Sequence, residues 1–145
     1  MSATYSAYLL DIEGTTTPVD FVYKTLFPFA RRALPEFLAR SLRDPDQKAA
    51  LEADARLLAD EYLADREAGR SPPPWDARGA SAGLLPYLYW LMDEDRKSRG
   101  LKSMQGRIWE QGYRSGDLHG ELYPDVEPAL RRWRSRRPQH GRKKR

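Results

Sequence analysis

The stretch Leu9-Leu10-Asp11-Ile12-Glu13-Gly14-Thr15-Thr16-Thr17-Pro18-Val19-Asp20 decides the fold class, because a short apolar run delivers two carboxylates directly into a Gly/Thr loop. Tyr5 to Leu10 reads as a short buried strand, and Gly14 lets the backbone leave it sharply. Asp11 then stands at the strand's carboxyl end, where open α/β sheets bind ligands. In an extended backbone Glu13 shares a side with Asp11. Two carboxylates so placed suit a hard cation such as Mg²⁺, which takes one or two carboxylates together with water and substrate phosphate. Asp11 is the candidate nucleophile, since a carboxylate can attack phosphorus once a cation offsets the repulsion between anions. Thr15 and Thr16 are candidate phosphate-binding residues, offering hydroxyl and backbone N–H donors. Taken alone, Asp-x-Glu-Gly after an apolar run is more often an ordinary solvated turn out of a strand.

Further segments extend the pattern. Asp11 to Val22, Leu26-Phe27-Pro28, Tyr89 to Lys97 and the long stretch Lys102 to Val126 together closely resemble the acireductone synthase family, the enolase-phosphatases of methionine salvage, within the haloacid dehalogenase-like superfamily. The resemblance covers roughly residues 5–134. It implies an α/β fold whose core starts with one strand and a nucleophile loop (1–16), continues through a helical cap (17–112), and returns to the core over 113–134. It implies that Asp11 is nucleophile and metal ligand, that Glu13 is the second catalytic and metal-ligand position, and that Mg²⁺ is the cofactor. The substrate implied is a phosphorylated diketone, 2,3-diketo-5-methylthiopentyl phosphate, converted to an enol phosphate and then to the acireductone. The family's Ser-rich phosphate motif, its substrate lysine and its later acidic motif match nothing in this sequence.

The middle of the chain reads as helical. Asp44-Pro45 is a strong helix start, with a side-chain acceptor at the N-cap and Pro at the first helical position. Leu51, Ala55, Leu58 and Tyr62 follow on one face, ending near Gly69. Arg70-Ser-Pro-Pro-Pro-Trp75 is a stiff connection. Leu84, Leu85, Leu88, Leu91 and Met92 form a second stripe with Pro86 in its first turn, and Leu101, Met104 and Ile108 a third. These stripes read as packing. Tyr123-Pro124 leads into a returning helix over 125–133. Asp93-Glu94-Asp95 reads as a solvated charge run, His119 as a solvated loop histidine, and Arg107, Trp109 and Glu110 as residues that either pack or face a ligand.

Residues 131–145 hold nine of the 25 Lys and Arg and none of the 21 Asp and Glu, so residues 1–130 carry 16 positive against 21 negative charges. The tail 135–145 has no aliphatic residue and no Phe, Tyr or Trp, which departs from the family pattern as a truncation or frameshift would. A chain of this kind is expected to be mostly α with one or few strands, and inactive alone. A non-catalytic remnant that binds a partner or an anionic surface through the tail is the alternative. No aromatic interleaving or reading motif points to a specific nucleic acid. No run of 18 apolar residues and no secretory signal are present, and zero cysteines exclude disulfides. These features point to a cytoplasmic monomer with no membrane partner.

Overall fold

The computed structural model describes residues 7–79 and 81–135. Two compact units are present: Met1–Thr25 with Gly120–Arg145, and Leu26–His119. Among the described residues the regular elements are helical: α1 (Val19–Phe21), a π-helical turn (Val22–Leu26), α2 (Phe27–Ser41), α3 (Pro45–Glu67), a 3₁₀ turn (Ala77–Gly79), α4 (Leu85–Asp93), α5 (Arg99–Ser115) and α6 (Val126–Ser135).

The larger unit is built on α2, α3, α4 and α5. Asp44 caps α3 as its sequence requires: the carboxylate accepts from the Asp46 and Gln47 backbones at 3.0 and 3.4 Å. The helix stops where Gly69 takes φ of +74°. Leu51, Leu58, Leu88, Leu91 and Met104 are fully buried in one cluster, so the three apolar stripes face one another. Ser98 opens α5 by accepting from the Leu101 backbone N–H at 3.0 Å. The proline-rich connection is pinned by Trp75, whose backbone N–H donates to the Tyr62 hydroxyl and whose indole N–H donates to the Ala82 carbonyl.

One helix inside the expected cap was not placed by any local signal in the sequence. α2 runs through Pro35, which removes an internal hydrogen bond at a cost of about 3 kcal/mol. Leu34 and Phe37 flank that proline and are buried, each contributing about 1.5–3 kcal/mol, and their burial outweighs the break. The π-helical turn preceding α2 shifts the backbone register, and the Leu26 carbonyl accepts from the Trp109 indole at 2.9 Å. Trp109 is therefore an anchor of packing. Arg107 is too, paired with the buried Asp54 and lying over the Phe37 ring.

α3 packs tightly against α5 at Gly100. A Cβ there would lie 2.5 Å from Leu58 Cγ and 3.0 Å from the Asp54 carbonyl oxygen, and the backbone atom cannot rotate away. Gly100→Ala is expected to destabilise the fold by about 1–3 kcal/mol through overpacking. Gly106, on the same helix with nothing within 4 Å, is the control. Gly106→Ala should instead stabilise by about 0.4–1 kcal/mol. Urea unfolding of both variants, followed by helical circular dichroism, checks the opposite signs; equal shifts would refute the close packing at Gly100.

The strand read over Tyr5–Leu10 is corrected by the structure. Residues 7–11 have no regular secondary structure, Tyr5 and Ser6 lie outside the described residues, and the described β-type pairing is a single bridge between Glu13 and Thr17. A strand exists through its neighbours' hydrogen bonds, and one extended segment is not stable in isolation. The observed class among the described residues is mostly helical. Of the basic tail, Ser135 ends α6 and 136–145 lie outside the described residues.

Candidate active-site loop

The loop after residue 11 is organised around one carbonyl. Ile12 oxygen accepts from the backbone N–H groups of Thr15, Thr16 and Thr17 at 3.3, 3.0 and 2.9 Å, and from the Thr16 hydroxyl at 3.3 Å. Gly14 takes φ of +75°, the left-handed conformation that closes the turn, and its N–H donates to the Thr17 carbonyl at 2.8 Å. Within the same unit the Tyr123 backbone N–H donates to the Thr16 carbonyl at 3.0 Å, tying the loop to the segment before α6. Tyr8 stacks on Trp133 of α6, ring centroids 4.8 Å apart.

Asp11 and Glu13 are both exposed, one on each side of Ile12. Asp11 Oδ1 accepts from the Ile12 backbone N–H at 2.8 Å, which leaves Oδ2 free of described partners. The backbone N–H groups of Thr15 and Thr16 are engaged by Ile12. What these two residues offer outward is therefore hydroxyl, chiefly that of the exposed Thr15. The donor set fits Mg²⁺ in kind, since two carboxylates and a hydroxyl are hard oxygen ligands. It is small in number: among the described residues no group of three or more Asp, Glu, His or Cys forms a metal cluster.

Other sequence candidates resolve as structure. Asp93 is exposed and pairs with Arg31 at 2.7 Å, and His119 is exposed. Glu110 pairs with Arg114 one turn away. The sequence reading missed a cavity of about 580 Å³ in the larger unit, with Phe29, Phe37 and Ile108 in its lining and Arg32, Arg40 and Arg114 around it. These arginines belong to two helices far apart in the chain, so no local motif announces them. It missed as well the buried carboxylate of Asp65, which accepts from the Tyr87 hydroxyl and the Arg70 guanidinium, each at 3.0 Å, and is paired with Arg96.

No family model matches the chain. Curated relatives do. Over 135 residues it is 50% identical to enolase-phosphatase E1 of Synechococcus elongatus, covering 93% of this chain and 54% of that protein. Enolase-phosphatase E1 of Pseudomonas aeruginosa is 41% identical over 133 residues, covering 92% of this chain and 52% of that protein. Among solved structures, the UTR4 protein of Saccharomyces cerevisiae is similar with a TM-score of 0.58 and 29% identity, over 89% of this chain and 48% of that one. The chain spans about half the length of the curated relatives it matches. By sequence, it belongs to the enolase-phosphatase E1 family.

Proposed function

We propose that this chain carries the nucleophile segment and the helical cap of a Mg²⁺-dependent enolase-phosphatase of the methionine salvage route in the cytoplasm, acting on 2,3-diketo-5-methylthiopentyl phosphate. The observation that carries the reading is the 50% identity over 135 residues with enolase-phosphatase E1 of S. elongatus. In support, the loop displays Asp11 and Glu13 openly while its own backbone holds it in a closed turn. The free Asp11 oxygen attacks phosphorus, the P–O bond to the enol breaks, and the enol oxygen leaves with its electron pair to take up a proton. Water then attacks the aspartyl phosphate, releasing phosphate and restoring the carboxylate. Bound Mg²⁺, held by Asp11 and Glu13, would neutralise phosphate charge during this transfer. Thr15 would donate its hydroxyl to a phosphoryl oxygen, and the α2 to α5 unit would act as the cap that excludes water. The described residues offer no helix long and apolar enough to cross a membrane.

The test is a chimera joining residues 1–134 to the part of the S. elongatus relative that this chain does not match. Mg²⁺-dependent release of phosphate from the diketo phosphate, with formation of the acireductone, is the expected result. A folded chimera that binds Mg²⁺ and leaves this substrate intact, while hydrolysing another phosphate ester, would replace the substrate assignment.

A further inference from the structure

Arg32, Arg40 and Arg114 stand around the cavity of about 580 Å³ between α2 and α5, and every residue lining it belongs to the larger unit. A volume of roughly 300–1,000 Å³ is the size that takes a small molecule. Its apolar lining is the half-buried Phe29 and Ala33, backed by the buried Phe37 and Ile108. The Phe29 ring lies against α5 because residue 112 is glycine, where a Cβ would come within 2.7 Å of the ring. The three guanidinium groups differ in what they are free to do. Arg114 is paired with Glu110 at 2.7 Å, and Arg40 donates to the Gln111 side-chain oxygen at 3.0 Å, with Glu36 3.9 Å away. Arg32 is exposed and has no hydrogen bond or ion pair among the described residues. Two carboxylates, Glu36 and Asp117, share the lining, and Asp117 accepts from the Ser115 hydroxyl at 2.7 Å.

We propose that this cavity binds a small monocarboxylate with an apolar body, its carboxylate on Arg32 and Arg40 and its body against Phe29 and Ala33. A guanidinium presents its N–H donors as a planar fork that matches a carboxylate, and the free fork of Arg32 is the one open to a ligand. Arg40 is already oriented by Gln111, so recruiting it costs little further ordering. The two acidic residues set the charge of the ligand: a phosphate dianion would meet them with twice the repulsion that a single carboxylate does. The apolar wall sets its body, since covering Phe29 and Ala33 removes hydrocarbon from water. A ligand seated there touches both α2 and α5 and binds only the folded chain, so it raises stability by mass action. Asp11 and Glu13 take no part in this lining, and the proposal does not depend on the catalytic reading.

The full 145-residue chain is titrated with phenylpropionate as the probe, and with phenylpropanol and inorganic phosphate as separate arms, while amide NMR shifts are followed. The expected result is saturable one-to-one binding of phenylpropionate with Kd at or below about 1 mM, shifting amides of α2 and α5 around the cavity. Phenylpropanol, which lacks the charge, and phosphate, which lacks the apolar body, should each bind at least about tenfold more weakly. Arg32→Gln should weaken phenylpropionate binding about tenfold, the scale of one charge-assisted hydrogen bond. Helix content should not change, because Arg32 is exposed. Arg56→Gln, an exposed arginine of α3 outside the cavity, should bind as the parent does. The urea midpoint should rise with phenylpropionate in the parent and in Arg56→Gln, and much less in Arg32→Gln. No saturable binding up to about 10 mM, binding of the alcohol or of phosphate as tight as that of phenylpropionate, or parental affinity in folded Arg32→Gln would each overturn the proposal.

Discussion

Asp11→Asn in the catalytically complete chimera is expected to lower phosphate release by about 10⁴-fold or more, the scale on which removal of a nucleophile acts. The amide is a poor nucleophile and a poor ligand for a hard cation, so attack and charge neutralisation fail together. The fold should be untouched, because Asp11 is exposed and its one described hydrogen bond is to the adjacent Ile12 N–H, which an amide oxygen still accepts. Glu13→Gln should behave differently: in the proposed site Glu13 chiefly helps hold the cation, so activity falls and part of it returns as Mg²⁺ is raised. Phosphate release measured across a Mg²⁺ series separates the two. Parental turnover in Asp11→Asn would remove Asp11 from the nucleophile role.

The largest stability effect is expected at Asp65. Its carboxylate is 1% exposed and accepts from Tyr87 and Arg70 while pairing with Arg96, whose Nε is buried without a partner. Asp65→Ala strands the Tyr87 hydroxyl and leaves the half-buried Arg96 guanidinium uncompensated, at a cost of about 3 kcal/mol. That is a large share of the roughly 5–15 kcal/mol by which a domain is stable. Asp65→Asn keeps an acceptor and should cost less, and Asp65→Leu with Arg96→Met should recover part of the loss by removing the carboxylate together with its less exposed cation, leaving the more exposed Arg70 to solvent. Urea midpoints of the three variants give the order; a loss below about 0.5 kcal/mol in Asp65→Ala, the size of an ordinary surface change, would show the network to be idle.

The same network sets an alkaline limit. Burial, and then the hydrogen bond to Asp65, push the Tyr87 hydroxyl well above its ordinary value. In the unfolded chain this hydroxyl ionises near pH 10, while in the fold it keeps its proton, so the unfolded state binds fewer protons above that point. Stability from Tyr87 is complete below about pH 10 and declines as pH rises further. Unfolding of Tyr87→Phe measured across this range should show a flatter decline than the parent.

Much of the helical unit was legible because its signals are local. Asp44-Pro45 starts α3 through one side chain and one ring, and Gly69 ends it through a positive φ, so neither depends on distant residues. The stripes of α3 and α5 were legible as faces, and those faces are the buried ones, while in the α4 stripe Leu84, Leu88 and Leu91 are buried, Leu85 and Met92 only partly so, and the fully buried Tyr87 was not read into the stripe. α2 was hidden by Pro28 and Pro35, whose local message opposes a helix and was outweighed by burial of Leu34 and Phe37 against elements that follow much later in the chain. Asp65 was hidden for a related reason. A carboxylate on a helix reads as solvent-facing until Tyr87 and Arg96, 22 and 31 residues on, arrive beside it.

By itself the sequence offered Asp11 and Glu13 as the carboxylates of the proposed site, since oxygen donors and a carboxylate nucleophile are properties of side chains. It also determined where the capped helices begin and end, since caps and turns are set within a few residues. Only the tertiary structure decided that the Thr15 and Thr16 backbone donors are engaged by the Ile12 carbonyl rather than offered to phosphate. It alone decided that the apolar run before Asp11 stands open instead of forming a ladder. The physical reason is common to both: a hydrogen-bonding group or an apolar face has no fixed role until its partner is specified, and here those partners are set by how the chain closes on itself and by what lies beside it.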